Sequence, residues 1–138
     1  MKAANKYMLM TGNNILDTNI VSAWLSGETA IADNIDNSEA VFIPIIVIGE
    51  LHYGAQHSTN IQKNTDNINK VLSRYDVLYV DEETAYKYGL IKAALRKKGK
   101  PIPENDIWIA AIAMQHDFTL ISRDGHFDEI DGLKLVVW

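Results

Sequence analysis

Four acids stand where apolar segments end or turn: Asp17 in Asn14-Ile15-Leu16-Asp17-Thr18-Asn19, Glu50 within Ile46–Leu51, Asp106 in Asn105-Asp106-Ile107, and Asp124 in Ser122-Arg123-Asp124. Gathering such groups is expensive. Two carboxylates about 4 Å apart repel by roughly 4 kcal/mol at an effective dielectric near 20. A fold that brings them together needs protonated members, cationic partners or bound metal. An all-oxygen ligand set suits the hard ions Mg²⁺ and Mn²⁺, which keep several waters and meet substrate phosphates. Metal held there can activate water, neutralise a phosphodiester and steady the leaving oxygen, which is metal-dependent phosphoester hydrolysis.

Each acid also has an ordinary reading. Asp17 and Asp124 fit turns or caps, and Asp106 fits the first turn of a helix. Glu50 is the hardest to dismiss, because Ile46, Val47, Ile48 and Leu51 around it are apolar and a lone buried Glu is costly. Arg123 and the dense run Arg96, Lys97, Lys98 and Lys100 are candidates for contact with the phosphates of a substrate. For the run, a solvated helix end with favourable dipole placement is the competing explanation. His52, His57, His116 and His126 lack a zinc-protease spacing, and His126 reads as structural. Trp108 reads as core or a subunit contact, while Tyr86 and Tyr88 need no stacking role.

The elements that must position the acids follow from periodicity. Ile15-Leu16 ends a short buried strand, and Asp17-Thr18-Asn19 leaves its carboxyl end. A helix over Ile20–Leu25 is capped by Thr18 or Asn19 and broken at Ser26-Gly27, and a second spans Glu28–Asp36. Ala40–Ile43 is a strand closed by Pro44, and Ile45–Gln56 a buried helix carrying Glu50, despite Gly49 and Gly54. Asn60–Tyr75 is the clearest amphipathic helix, with Ile61, Thr65, Ile68, Leu72 and Tyr75 on one face. Val77–Val80 is the third strand. Asp81 caps a helix over Glu82–Lys98, whose acids and cations match the macrodipole, and Gly99 ends it. A helix from Glu104 to Gln115 holds Asp106 in its first turn. Phe118–Ile121 is strand four, Ser122–Phe127 a loop or short turn, and Leu133–Val137 strand five. Strands alternating with helices imply a mostly parallel sheet covered on both faces. Ligands gather beyond the carboxyl ends of such strands, where all four acids can face.

At 138 residues the chain is most simply one domain over residues 1–138, with residues 1–12 expected to be loosely ordered and Met8 or Met10 an alternative start. Tyr7–Met10 is too short for a signal-peptide core, and no apolar run approaches a bilayer span, so a cytoplasmic location is expected. The absence of cysteine removes disulfides and thiolate zinc sites. A net charge of −5 argues against indiscriminate nucleic-acid binding but leaves room for a nuclease, since a carboxylate centre is acidic until metal fills it.

Ile15-Leu16-Asp17-Thr18-Asn19, Gly49-Glu50-Leu51, Asn105-Asp106-Ile107-Trp108-Ile109-Ala110-Ala111 and Ser122-Arg123-Asp124-Gly125-His126-Phe127 together resemble the four motif blocks of the PIN-domain ribonucleases. The nearest likeness is to the VapC toxins of bacterial toxin–antitoxin pairs, and the ending Gly132–Trp138 resembles that group too. One such block is a weak signal, whereas four in order are specific. The resemblance implies a PIN-like α/β fold, a doubly wound and mostly parallel five-stranded sheet flanked by helices. It implies an endoribonuclease that needs Mg²⁺ or Mn²⁺, with Asp17 and Asp106 as core metal ligands. Glu50 and Asp124 would complete the site directly or through water. Asn19 and Ser122 would orient carboxylates, with serine in place of the usual threonine. It also implies a homodimer and a cognate antitoxin as partners. Two other readings stay open: a non-catalytic module binding RNA or protein, and a phosphatase with Asp17 as nucleophile. The second is disfavoured by Asn19, where such enzymes place another acid.

Overall fold

The strand that carries Asp17 at its end lies in the middle of the sheet. The computed structural model describes residues 12–138, so the expected looseness of residues 1–12 and the readings of Tyr7–Met10 fall, but for Gly12, outside the described residues. Strand β1 (Asn13–Leu16) pairs on one side with β2 (Ala40–Pro44) and on the other with β4 (Thr119–Ile121). β3 (Asp76–Leu78) lies beyond β2 and β5 (Leu135–Val136) beyond β4, giving the order β3-β2-β1-β4-β5. Every pairing is parallel, so the sheet is wholly rather than mostly parallel. The chain lays β2 and β3 to one side of β1, then returns to lay β4 and β5 on the other. Winding therefore reverses between β1 and β4, where a crevice opens at the carboxyl ends.

Six helices join and cover the strands: α1 (Thr18–Leu25), α2 (Thr29–Asp36), α3 (Ile45–Gln56), α4 (Ile61–Arg74), α5 (Glu82–Lys98) and α6 (Glu104–His116), and a 3₁₀ turn spans Gly125–Glu129. The β-branched and leucine residues of the central strands, Ile15, Leu16, Ile43, Leu120 and Ile121, are buried. Each contributes about 1.5–3 kcal/mol by leaving water. Helix α6 is buried along Ile107, Ile109, Ala110, Ala111, Ile112 and Ala113, and its alanines let α5 lie close against it. A helix so enclosed has little freedom to shift, and Asp106 rides on its first turn.

Helix α5 has the bounds its caps predict. The Asp81 side chain accepts from the Thr84 backbone N–H at 3.0 Å, Thr84 Oγ1 accepts from the Asp81 N–H at 3.0 Å, and Gly99 closes the helix at φ 69°. Elsewhere the boundaries move for physical reasons. Helix α1 begins at Thr18 because Asp17, not Thr18 or Asn19, is its N-cap. The amphipathic α4 buries Ile68 and Val71, while Ile61 and Leu72 stay substantially exposed. β3 stops at Leu78, since its partner β2 ends at Pro44, and Tyr79 and Val80 lie exposed beyond it. β5 is two residues long because β4 offers only Leu120 and Ile121 as partners.

Candidate active site at the strand switch

Asp17 leaves β1 with its backbone N–H still donating to the Ile121 carbonyl at 3.0 Å, which extends the ladder to the mouth of the crevice. Its carboxylate is buried, and every contact fixes its direction. Oδ1 accepts from the Thr18 N–H at 2.8 Å, while Oδ2 accepts from the Ser122 hydroxyl at 2.6 Å and from Asn19 Nδ2 at 3.3 Å. Ser122 Oγ accepts in turn from the Asp124 N–H at 3.0 Å and from Asn19 Nδ2 at 3.4 Å, so one hydroxyl ties three site residues together. Asn19 Oδ1 accepts from the Arg123 N–H at 3.2 Å. The network clasps the ends of β1 and β4.

The other acids converge on the same opening. Glu50, Asp106 and Asp124 line one open pocket of about 480 Å³, together with Glu104, Asn105 and His126. Glu50 is half-buried on α3 and accepts at Oε1 from Thr18 Oγ1 at 2.8 Å. The apolar flanks that made it hard to dismiss, above all Val47 and Ile48, pack into the core and leave its carboxylate on the pocket wall. Asp124 caps the 3₁₀ turn by accepting from the His126 N–H at 2.9 Å. All four acids are therefore gathered at the switch, with Asn19 and Ser122 bonded to the deepest of them.

Crowding leaves an electrostatic mark. Burial, joined by the charges of Asp124 and Asp17, pushes the Asp106 carboxyl up to about 6 against the pull of the His126 hydrogen bond. Asp17 is also raised, chiefly by burial and further by Asp124, although the Ser122 and Thr18 hydrogen bonds oppose the shift. Such a site gains from a divalent cation, which offsets both the cost of burying these charges and their mutual repulsion. The donor set fits one: Asp106, Asp124 and His126 each offer a ligand atom, all within 4.8 Å of one another.

The sequence reading treated His126 as structural, yet its imidazole stands in the cluster. Nδ1 lies 3.0 Å from Asp124 Oδ1 and 3.2 Å from Asp106 Oδ2. Asp124-Gly125-His126 was the available signal, because an Asp that caps the backbone of a His two residues on draws its ring toward the same carboxylate. The Thr18 hydroxyl, which holds Glu50, was missed as well.

The basic candidates lie outside the crevice. Arg123 forms a fork with Glu28, Nη2 to Oε2 at 2.6 Å and Nη1 to Oε1 at 3.2 Å, while Nε donates to the Trp138 carbonyl at 3.0 Å. Lys98 donates to the Glu129 carbonyl at 2.7 Å and to Asp131 at 3.1 Å. Arg96, Lys97 and Lys100 are exposed and form no ion pair among the described residues. Arg96 borders a groove that reaches Glu104 on the rim of the acidic pocket. Trp108 is half-buried and stacks within the chain on Tyr88, at 4.0 Å between centroids and 13° between planes, and Tyr88 also bonds Glu104.

The chain is similar to known proteins in sequence and in fold. Residues 15–133 match the family model described as PIN domain. A protein named Ribonuclease VapC2, from Haemophilus influenzae, is 34% identical over 127 residues that cover 90% of this chain and 96% of that protein. The tRNA(fMet)-specific endonuclease VapC of Salmonella typhimurium is 30% identical over 103 residues, 74% of this chain and 78% of that one. The crystal structure of DNA-bound VapBC from Salmonella typhimurium superposes with a TM-score of 0.86 at 28% identity, covering 91% of this chain and 98% of that chain.

Proposed function

Because this chain belongs to the PIN-domain family, and within it to the VapC proteins, we propose that it is a metal-dependent endoribonuclease of the cytoplasm. It hydrolyses RNA phosphodiesters as the toxin of a toxin–antitoxin pair, works as a homodimer and is restrained by a cognate antitoxin. The observation that carries this reading is the convergence of Asp17, Glu50, Asp106 and Asp124 at the strand switch, with Asp106 pushed up to about 6 by burial and by the charges of Asp124 and Asp17.

Asp17 and Asp106 hold the cation, and Glu50 and Asp124 complete the site directly or through water. Mg²⁺ or Mn²⁺, when bound, supplies activation of water and neutralises phosphate charge. Ser122 Oγ–H and Asn19 Nδ2 fix the Asp17 carboxylate in one orientation, so the site is set before substrate arrives. Thr18 does the same for Glu50. The buried stretch of α6 from Ile107 to Ala113 keeps Asp106 from retreating as negative RNA approaches. RNA phosphate flanking the scissile bond meets Arg96, whose groove reaches Glu104 on the rim of the acidic pocket. Arg123 holds the Asp124 loop through Glu28 and lies beside any strand that crosses it.

Incubation of the purified protein with transfer RNAs and short unstructured RNAs, in Mg²⁺, Mn²⁺ or EDTA, tests the proposal. Cleavage is expected with either metal, absent in EDTA and lost in Asp17→Asn. Cleavage undiminished in the folded variant refutes the assignment. Tight RNA binding without turnover at any metal concentration would favour a non-catalytic module instead.

A further inference from the structure

We infer that His126 is itself a metal ligand, a nitrogen donor in a site otherwise built of oxygens, and that it shifts this protein's preference from Mg²⁺ toward Mn²⁺ and later first-row ions such as Co²⁺ and Zn²⁺. The inference rests on the proposed metal site but goes beyond its carboxylates. Nδ1 lies 3.0 Å from Asp124 Oδ1 and 3.2 Å from Asp106 Oδ2. Two neighbouring ligands of an octahedral ion with bonds of about 2.1 Å stand about 3.0 Å apart. The imidazole thus already occupies a ligand's distance from both carboxylates.

Its placement follows from the backbone. Asp124 caps the 3₁₀ turn through the His126 N–H at 2.9 Å, and buried Phe127 anchors the next position in the core. The ring is therefore directed at the carboxylates by main-chain geometry while its side chain remains about half exposed, at 52%. A ring nitrogen has two uses at such a spot. Protonated, Nδ1 donates to the carboxylates; unprotonated, it offers its lone pair to a cation, the commonest role of histidine at metal centres. Mg²⁺ gains little from exchanging a water for an imidazole; Mn²⁺, a transition ion, gains more, and Co²⁺ and Zn²⁺ gain more still.

Pulsed electron paramagnetic resonance on Mn²⁺ bound to the full chain reads the ligand directly, since a coordinated imidazole imprints nitrogen modulation on the electron spin echo. Wild type is expected to show that modulation. His126→Gln is expected to bind Mn²⁺ without it and at least about tenfold more weakly, with Mg²⁺ affinity, measured by competition, changed much less. The half-exposed ring leaves no cavity when replaced, and a thermal melt of the metal-free variant checks its fold. Bound Mn²⁺ without nitrogen modulation in wild type, together with loss of the ion in Asp106→Asn, overturns the inference and leaves the carboxylate site standing. Mn²⁺ binding that Asp106→Asn does not weaken overturns both.

Discussion

Asp106 is the residue at which electrostatics and function meet. Its folded pKa of about 6 lies above the usual carboxylate value of 3.8. The metal-free protein therefore holds more protons than the unfolded chain between those values. The resulting stabilisation is fully present below 3.8 and is lost as pH rises through about 6. Asp106→Asn should therefore raise metal-free stability at pH 7 to 8, by roughly 1–2 kcal/mol after allowing for solvent screening, with no such gain near pH 4. Urea denaturation in EDTA across that range checks it, and a pH-independent difference would contradict the assigned cause. Metal binding has the opposite sign: affinity should fall as pH drops through about 6, because protons compete for the same oxygens. Ser122 makes a second prediction at this scale. Ser122→Ala removes the 2.6 Å donor to Asp17 and should lower Mn²⁺ affinity about tenfold to a hundredfold. Ser122→Thr keeps the hydroxyl and should stay near wild type, as isothermal titration with each variant will reveal.

At the scale of elements, the site depends on a rigid α6 and on the clasp between β1 and β4. Ile109 is fully buried within α6, so Ile109→Ala should destabilise the fold by about 2–5 kcal/mol, measured by chemical denaturation. Arg123 separates two roles. If it only fastens the Asp124 loop to Glu28, then Arg123→Ala and Glu28→Ala should lower the melting temperature alike and affect cleavage alike. If it also touches RNA, Arg123→Ala alone should weaken binding and flatten its salt dependence. Elements with local punctuation were legible in the sequence. Asp81, Thr84 and Gly99 mark both ends of α5, and Ile45–Gln56 was readable as one helix. The outer strands were not: the lengths of β3 and β5 are set by β2 and β4, their partners in space, and a hydrophobic run such as Val77–Val80 carries no record of where its partner stops. The apolar stripe assigned to α4 is buried at Ile68 and half-buried at Thr65 and Tyr75, but Val71 rather than Leu72 turns toward the core.

For the whole molecule, the order β3-β2-β1-β4-β5 creates the site, since it sets the ends of β1 and β4 side by side. The four acids could be proposed from the sequence because each sits in its own recognisable block. The contribution of Thr18 could not, because its partner Glu50 lies on another element, and for His126 only Asp124 is local, its second carboxylate, Asp106, lying on α6. No helix among the described residues is long and apolar enough to cross a membrane. The central claim is hydrolysis of RNA by water at the carboxylate centre, and the chemistry of the product ends tests it most directly. An end-labelled RNA cleaved in Mn²⁺ should yield a 5′-phosphate and a 3′-hydroxyl, as attack by water with departure of the ribose 3′-oxygen requires, and Asp106→Asn should yield no product. A 2′,3′-cyclic phosphate, formed by attack of the neighbouring 2′-hydroxyl, or cleavage that persists in Asp106→Asn, would contradict it.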